Sequence, residues 1–171
     1  MAPAPQMLPP FAPEILEDGE YMITSVILNL KVSRMAMEDR SRLPKKVVVL
    51  PRHQEKYAAP WRIIKNGDGT YTMMNKGGSA SQIEGGLWAQ LEHGVPPIFA
   101  RWNIKRVPIE RNSNGLPTPE SSYGYYIESA DDNTRWIVQK DSAELRDPKQ
   151  VACSNLGTLT GKGQWFFINK V

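Results

Sequence analysis

The sequence has little cysteine and histidine and lacks any long apolar run. Its one cysteine, Cys153, cannot form an intrachain disulfide, so we expect a fold without covalent cross-links and a cytoplasmic location. The two histidines, His53 and His93, lie in loop-like sequence without ligand spacing, so neither a metal site nor a cofactor is predicted. No apolar stretch approaches the roughly 20 residues of a membrane span, and no membrane partner is expected.

The sequence is also short of net charge and of enzymatic motifs. A formal charge of +3 is too small to predict a nucleic-acid partner, although it suits an acidic protein surface. There is no Gly-x-Ser-x-Gly, no glycine-rich phosphate loop and no His-Glu-x-x-His. We therefore expect a binding protein, not an enzyme, and a monomer.

Proline is concentrated at the start of the chain. Five of the first 13 residues are proline, at positions 3, 5, 9, 10 and 13, which denies this segment helix and ladder hydrogen bonds. The segment has neither the basic nor the apolar region of a secretory signal. Residues 1–14 are predicted to be a disordered or polyproline-like tail, and residues 15–171 a single folded domain.

Aromatic residues recur in a fixed order along that domain. Three segments read Tyr-x-apolar-x-Ser/Asn, and they begin at Tyr21, Tyr71 and Tyr125. They alternate with three Trp-x-apolar segments, whose paired residues are Trp61/Ile63, Trp102/Ile104 and Trp165/Phe167. Residues two apart share one face of a strand, so each pair is expected to face the core. The order predicts three repeats of about 50 residues.

Short strands separated by turns fill each repeat, and no segment has helical periodicity. Lys76 to Ser81 is predicted to be a loop because of its Gly and Ser content. Arg52 to Ala59 is predicted to be a loop as well. The last strand is predicted over Gln164 to Lys170. About four strands in each of three repeats predict an all-β fold, the β-trefoil, in which the loops of a rigid barrel carry the function.

Trefoil lectins offer one interpretation of such a chain. The ricin-B type has a Gln-x-Trp motif near the end of each repeat, whereas this chain has Gln directly before Trp once, at Gln164-Trp165. The motif is absent, so sugar binding of the ricin-B type loses support. A carbohydrate-binding defence protein is kept as the alternative function.

Three segments carry a family resemblance. They are Leu16 to Ile23, Trp61 to Thr72, and the ending Gln164 to Ile168. They resemble the mushroom β-trefoil serine protease inhibitors, the cospin and cnispin family. The resemblance implies a cytosolic fungal protein that inhibits a trypsin-like serine protease through one protruding loop. It implies either the loop between the second and third strands or the loop before the last strand.

A basic residue followed by a small one is the pattern that a trypsin-like pocket accepts, since its buried carboxylate pairs with Arg or Lys. The first loop carries four cations, Arg34, Arg40, Arg42 and Lys45. Arg40-Ser41 is the preferred candidate pair for insertion into the protease, and Arg42, followed by Leu43-Pro44, is its rival. In the loop before the last strand, Lys162-Gly163 is the other candidate.

The related mycocypins, trefoil inhibitors of papain-type cysteine proteases and sometimes of legumain, are the nearest alternative. Their mode of binding would use the loop around Asn29 and the loop Arg52 to Ala59. For legumain it would use Asn75-Lys76, although a structural role for Asn75 is the stronger expectation because it repeats the Ser/Asn position of the Tyr segments.

Overall fold

The computed structural model describes residues 16–91, 99–108, 123–139, 145–158 and 162–171, and these ranges are all-β. The all-β prediction is therefore confirmed there. The predicted tail, residues 1–14, and the segment 109–122 between the Trp102 and Tyr125 segments lie outside the described residues. Within the described ranges, no helix is both long and apolar enough to cross a membrane.

The described ranges contain thirteen strands and three 3-10 helices. The strands are β1 (Gly19–Ser25), β2 (Leu30–Arg34), β3 (Lys45–Val49), β4 (Trp61–Lys65), β5 (Tyr71–Asn75), β6 (Gly78–Ile83), β7 (Gly86–Gln90), β8 (Trp102–Pro108), β9 (Tyr123–Ser129), β10 (Thr134–Ile137), β11 (Lys149–Gln150), β12 (Ala152–Asn155) and β13 (Phe166–Lys170). The 3-10 helices are Arg52–Tyr57, Leu156–Thr158 and Lys162–Gln164.

Six of these strands form a closed antiparallel ring. β1 pairs with β4, β4 with β5, β5 with β8, β8 with β9, β9 with β13, and β13 again with β1. Each third of the chain supplies two strands to the ring. Because every ring strand has a partner on both sides, the ring leaves no open edge.

Each third of the chain also supplies a hairpin-like pair outside the ring. These pairs are β2 with β3, β6 with β7, and β10 with β12. β7 pairs in addition with β3 and with β12, so the three pairs are joined to one another. The segment that connects β2 to β3, residues 35–44, contains neither helix nor strand.

An aromatic cluster fills the centre of the fold. The Trp136 ring lies 5.5 Å from the Trp61 ring, 5.5 Å from the Trp102 ring and 5.8 Å from the Phe166 ring, measured between ring centroids. All four side chains are fully buried. Their tilted and edge-on contacts are geometries that aromatic pairs favour. Because the four residues come from different thirds of the chain, the cluster joins all three thirds.

Two indole groups tie the ring to the hairpins. Trp61 Nε1 donates a hydrogen bond to the Val32 carbonyl at 2.8 Å, and Trp102 Nε1 donates one to the Ala80 carbonyl at 3.0 Å. Both donors are thereby satisfied in the core, where an unpaired N–H would be costly.

The predicted strand faces are right in two cases and wrong in the third. Trp61/Ile63 and Trp102/Ile104 are buried pairs, as expected. In the last strand the buried pair is Phe166 and Ile168, while Trp165 lies just before the strand and is half-buried. The 3-10 helix Lys162–Gln164 immediately precedes it, and a shift of one residue exchanges the two faces of a strand.

Two predicted loops are also corrected. Most of Lys76 to Ser81 belongs to strand β6, and Arg52 to Ala59 contains the 3-10 helix Arg52–Tyr57. The small residues of β6 reflect close packing, not a loop, because a Cβ at Gly78 would lie 2.9 Å from Ala89 Cβ. Glycine in a strand often marks such an approach.

Cys153 is a small buried residue of β12. Its side chain is buried, and burial, with a further contribution from Asp132, raises the pKa of the thiol. A thiol that stays protonated is a poor nucleophile, so Cys153 packs as an apolar group.

Candidate functional site

The strongest candidate residues from the sequence lie together on the surface. Arg40, Ser41 and Arg42 are exposed in the segment 35–44 between β2 and β3, which we call the β2–β3 loop. The following Leu43 is exposed to 67%. An exposed apolar side chain beside two exposed cations is a combination suited to contact with another protein.

The other candidate pair is placed differently. Lys162 and Gly163 lie in the 3-10 helix Lys162–Gln164. Gly163 is buried, and its carbonyl accepts a hydrogen bond from the Val138 amide at 2.8 Å. A Cβ at Gly163 would lie 2.2 Å from the Val138 carbonyl oxygen, so this glycine is required by close packing. The backbone at Gly163 is thus packed against Val138 and is not a protruding loop.

The structure separates the four cations that flank or occupy the β2–β3 loop. Arg34 and Lys45 are buried at the two ends of the loop, whereas Arg40 and Arg42 are exposed. Arg34 and Lys45, which the sequence placed only among the four cations of the loop, are therefore anchors of the loop. Because they are the last residue of β2 and the first of β3, the barrel holds both.

Arg34 anchors the first half of the loop. Its Nε and Nη2 atoms donate to the two carboxylate oxygens of Glu38, at 3.2 and 2.7 Å, and its Nη1 donates to the Lys76 carbonyl at 2.8 Å. Lys76 Nζ in turn donates to the Met35 carbonyl at 2.9 Å. A two-point contact between Arg and a carboxylate fixes orientation as well as distance. The half-loop before Arg40 is thus held against the turn between β5 and β6.

Lys45 anchors the loop at Asp39. Its ammonium donates to the Asp39 carboxylate, to the Asp39 carbonyl at 3.1 Å and to Ser41 Oγ at 3.1 Å. The Asp39 carboxylate also accepts the Ser41 backbone N–H at 2.9 Å. Lys45 is only 6% exposed, so its stem packs in the fold while its ammonium reaches the loop.

These contacts predict the pH below which the ion pair between Lys45 and Asp39 is lost. The Lys45 ammonium, with Ser41, lowers the pKa of Asp39 from 3.8 to about 2. Since the folded-state value is the lower one, this anchor is complete above about pH 4 and is lost as the pH falls through about 2. An NMR titration of the Asp39 carboxyl should therefore show a pKa near 2 in the parent and a higher pKa in Lys45→Met, where only the Ser41 hydrogen bonds remain. A parent midpoint near 3.8 would contradict the anchor.

An apolar groove borders the loop on its β2 side. It has a volume of about 420 Å³ and is lined mainly by Met35, Met37, Tyr57 and Pro148. Met37 is 87% exposed and Tyr57 is 52% exposed. The surface beside the loop is therefore apolar, and the charges of the loop are confined to its centre.

The segments predicted for mycocypin-like binding differ from the β2–β3 loop. Asn75 is fully buried: its Oδ1 accepts from Ser33 Oγ and the Arg34 amide, and its Nδ2 donates to the Ala59 carbonyl. Its structural role is confirmed, and it cannot enter a legumain pocket without unfolding. Asn29 is exposed, with a left-handed φ of 53° that suits the turn between β1 and β2.

The sequence alone did not reveal the anchors. Arg34 and Glu38 do have opposite charges four residues apart, but that spacing normally indicates a helix. Asp39 and Lys45 become neighbours only because the chain reverses between β2 and β3. The signal that could have found them is the placement of each cation at a strand end, where its stem can be buried.

Comparison with known proteins identifies the family. Residues 14–161 match the family model described as peptidase inhibitor I66, which covers most of the chain. A protein from Lentinula edodes named "Serine protease inhibitor" is 32% identical over 130 residues, which are 75% of this chain and 79% of that protein. The chain therefore belongs to the peptidase inhibitor I66 family: it is a protease inhibitor and not an enzyme.

Solved structures agree on the fold. A proteinase inhibitor from Coprinopsis cinerea is similar with a TM-score of 0.66 and 24% identity, over 92% of this chain and all of that one. A ricin B-like lectin from Macrolepiota procera is similar with a TM-score of 0.60 and 16% identity, over 92% and 99% of the two chains. At such identities the likeness concerns architecture alone, so the lectin lends no support to carbohydrate binding here.

Proposed function

We propose that this protein inhibits a trypsin-like serine protease by presenting Arg40 of the β2–β3 loop as a substrate-like residue. Serine protease is the target class because the Lentinula edodes relative carries that name. The observation that supports this mode most directly is the exposed Arg40-Ser41 pair, which follows a half-loop fixed by buried cations.

The chemistry of this pair suits a trypsin-like pocket. The Arg40 guanidinium would pair with the buried carboxylate at the base of that pocket, and Ser41 is small enough to follow the attacked bond. A loop that is ordered before binding loses little entropy in the complex, which favours affinity. The net charge of +3 does not oppose binding to an acidic protein surface.

Arg40 is preferred to its two rivals on the geometry of the loop. Its neighbours Asp39 and Ser41 are both in contact with Lys45, whereas Arg42 lies beyond this network. Lys162 is followed by the buried Gly163, whose packing against Val138 restricts access to that bond. We propose a β-trefoil for the fold, supported by the closed six-stranded ring and its three hairpin pairs, and a cytoplasmic location on composition.

Titration of trypsin tests the proposed function. Residual activity is measured against increasing concentrations of the parent and of Arg40→Ala, Arg42→Ala and Lys162→Ala. We expect the parent to inhibit and Arg40→Ala to lose roughly a hundredfold in affinity, as expected for a central interface residue. Arg42→Ala and Lys162→Ala are the matched controls, since each also removes one cation, and both should inhibit like the parent.

Other outcomes would contradict the proposed specificity, the proposed site or the proposed function. If the parent leaves trypsin fully active, trypsin-like specificity fails, and inhibition of papain in parallel would favour the mycocypin-like alternative. If Arg42→Ala or Lys162→Ala loses inhibition while Arg40→Ala keeps it, the site assignment fails. Binding of the parent on a glycan array without protease inhibition would favour the lectin alternative.

A further inference from the structure

Lys45 contacts groups on both sides of the Arg40–Ser41 bond. Before the bond, its ammonium binds the Asp39 carbonyl at 3.1 Å and the Asp39 carboxylate. After the bond, it binds Ser41 Oγ at 3.1 Å. The Asp39 carboxylate completes the bridge, since it accepts the Ser41 backbone N–H at 2.9 Å and the Ser41 hydroxyl at 2.5 Å.

We propose that Lys45 and Asp39 form a clamp that retains both ends of the Arg40–Ser41 bond during attack by a protease. The clamp makes the chain a slowly cleaved inhibitor, where an unclamped loop of the same sequence would be a substrate. This inference rests on the proposed function and deepens it: Arg40 is the residue recognised, and Lys45 and Asp39 are positioning residues that act through the backbone around it.

The reaction shows what the clamp would change. The protease serine oxygen attacks the Arg40 carbonyl carbon, the bond to the Ser41 nitrogen breaks, and the serine proton passes to that nitrogen. The products are an ester on the protease and a free Ser41 amine. In the reverse reaction the amine attacks the ester carbonyl, the peptide bond forms again and the proton returns to the serine. Water competes for the ester and releases a free Arg40 carboxylate.

Retention of the amine decides between these two routes. The Ser41 nitrogen is the leaving group, and it is the atom whose N–H donates to the Asp39 carboxylate. While Asp39 and Ser41 stay on Lys45, the amine remains next to the ester at a high effective concentration. Re-formation of the bond is then faster than hydrolysis. Lys45 is suited to this role because it is buried and belongs to β3, which pairs with β7.

Cleavage kinetics with catalytic amounts of trypsin test the clamp. We compare the parent with Lys45→Met, Lys45→Arg, Asp39→Ala and Lys46→Met, and locate cleavage by mass spectrometry. Lys45→Met and Asp39→Ala should be cut after Arg40 about tenfold to a hundredfold faster, the range expected when charge-assisted hydrogen bonds are lost. The effect should appear in kcat with KM little changed, because Arg40 is still recognised. Lys45→Arg should restore much of the resistance.

Lys46→Met is the matched control, since Lys46 is exposed on the same strand and the change removes the same charge. It should be cut as slowly as the parent. Equal cleavage rates for the parent, Lys45→Met and Asp39→Ala would overturn the clamp. Thermal unfolding of each variant excludes loss of the fold as the cause, and Asp39→Ala keeps the test valid if Lys45→Met is unstable, because Asp39 is 73% exposed.

A measurement without protease separates failure of the clamp from failure of the proposed function. Hydrogen exchange of the Ser41 amide should be slow in the parent and fast in Asp39→Ala and Lys45→Met. Fast exchange in the parent overturns the clamp, even if the parent inhibits trypsin. Slow exchange in a parent that does not inhibit trypsin supports the pre-ordered loop and overturns the proposed target, and with it the role of the clamp in inhibition.

Discussion

Trp136→Ala is expected to remove about 3–5 kcal/mol from the free energy of unfolding, the usual cost of truncating a buried tryptophan. The Trp136 ring contacts aromatic rings from β4, β8 and β13, and it is fully buried. Its loss would leave a cavity at a point where all three thirds of the chain meet. Since domains are stable by only about 5–15 kcal/mol, the variant should lose a large fraction of its stability.

Denaturant unfolding followed by circular dichroism measures this effect, with Trp165→Ala as the control. Trp165 is also an indole, but it is half-buried and lies outside strand β13. Trp165→Ala should therefore lower the free energy of unfolding by less than Trp136→Ala does. The comparison also tests the strand register, because a prediction from the sequence alone places Trp165, and not Phe166, in the core. An equal or larger loss for Trp165→Ala would contradict the aromatic cluster described here.

Asn75→Ala is expected to cost about 2–4 kcal/mol and to loosen the β2–β3 loop, since each buried polar group left unpaired costs about 1–3 kcal/mol. The Asn75 side chain is fully buried and joins three segments. It accepts from Ser33 Oγ at 3.2 Å and from the Arg34 amide at 3.0 Å, and it donates to the Ala59 carbonyl at 3.0 Å. The substitution removes these three bonds at the base of the loop, together with the longer one from Asn75 Nδ2 to the Pro60 carbonyl at 3.4 Å.

Denaturant unfolding gives the stability change, and hydrogen exchange of the Arg34 amide reports on the loop end. Asn169→Ala is the matched control, because Asn169 is an exposed asparagine of strand β13. It should change stability by less than about 0.5 kcal/mol, as is usual for surface substitutions. Unchanged Arg34 exchange in Asn75→Ala would show that the loop does not depend on this buried amide.

Much of the fold could be predicted because the strongest signals are local. Aromatic residues that alternate with apolar ones predicted strands such as β4 and β5, and the Asn-Gly and Asp-Gly pairs at residues 66–69 favour the turn that joins them. The failures come from the tertiary environment. β6 was missed because its glycine and serines are small for packing against β7. The last strand begins at Phe166, two residues after its predicted start, because Lys162–Gln164 forms a 3-10 helix.

The candidate site was predicted only in part, for a similar reason. The sequence identified a loop with four cations and preferred Arg40-Ser41, which the structure places on the surface. It could not say that Arg34 and Lys45 are buried, since burial depends on strands β5 and β7, which lie far along the chain. The position of Asp39 between Lys45 and Ser41 likewise follows from the path of the loop.

The sequence by itself determined that the described part of this chain is all-β, that aromatic segments recur three times and that a basic loop containing Pro44 follows β2. These features depend on side-chain alternation and local backbone preference, which neighbouring residues set. Only the tertiary structure decided which aromatic residues meet at the centre and which cations are free. Those choices depend on contacts between distant residues, such as Arg34 with the Lys76 carbonyl 42 positions away, and no local pattern encodes them.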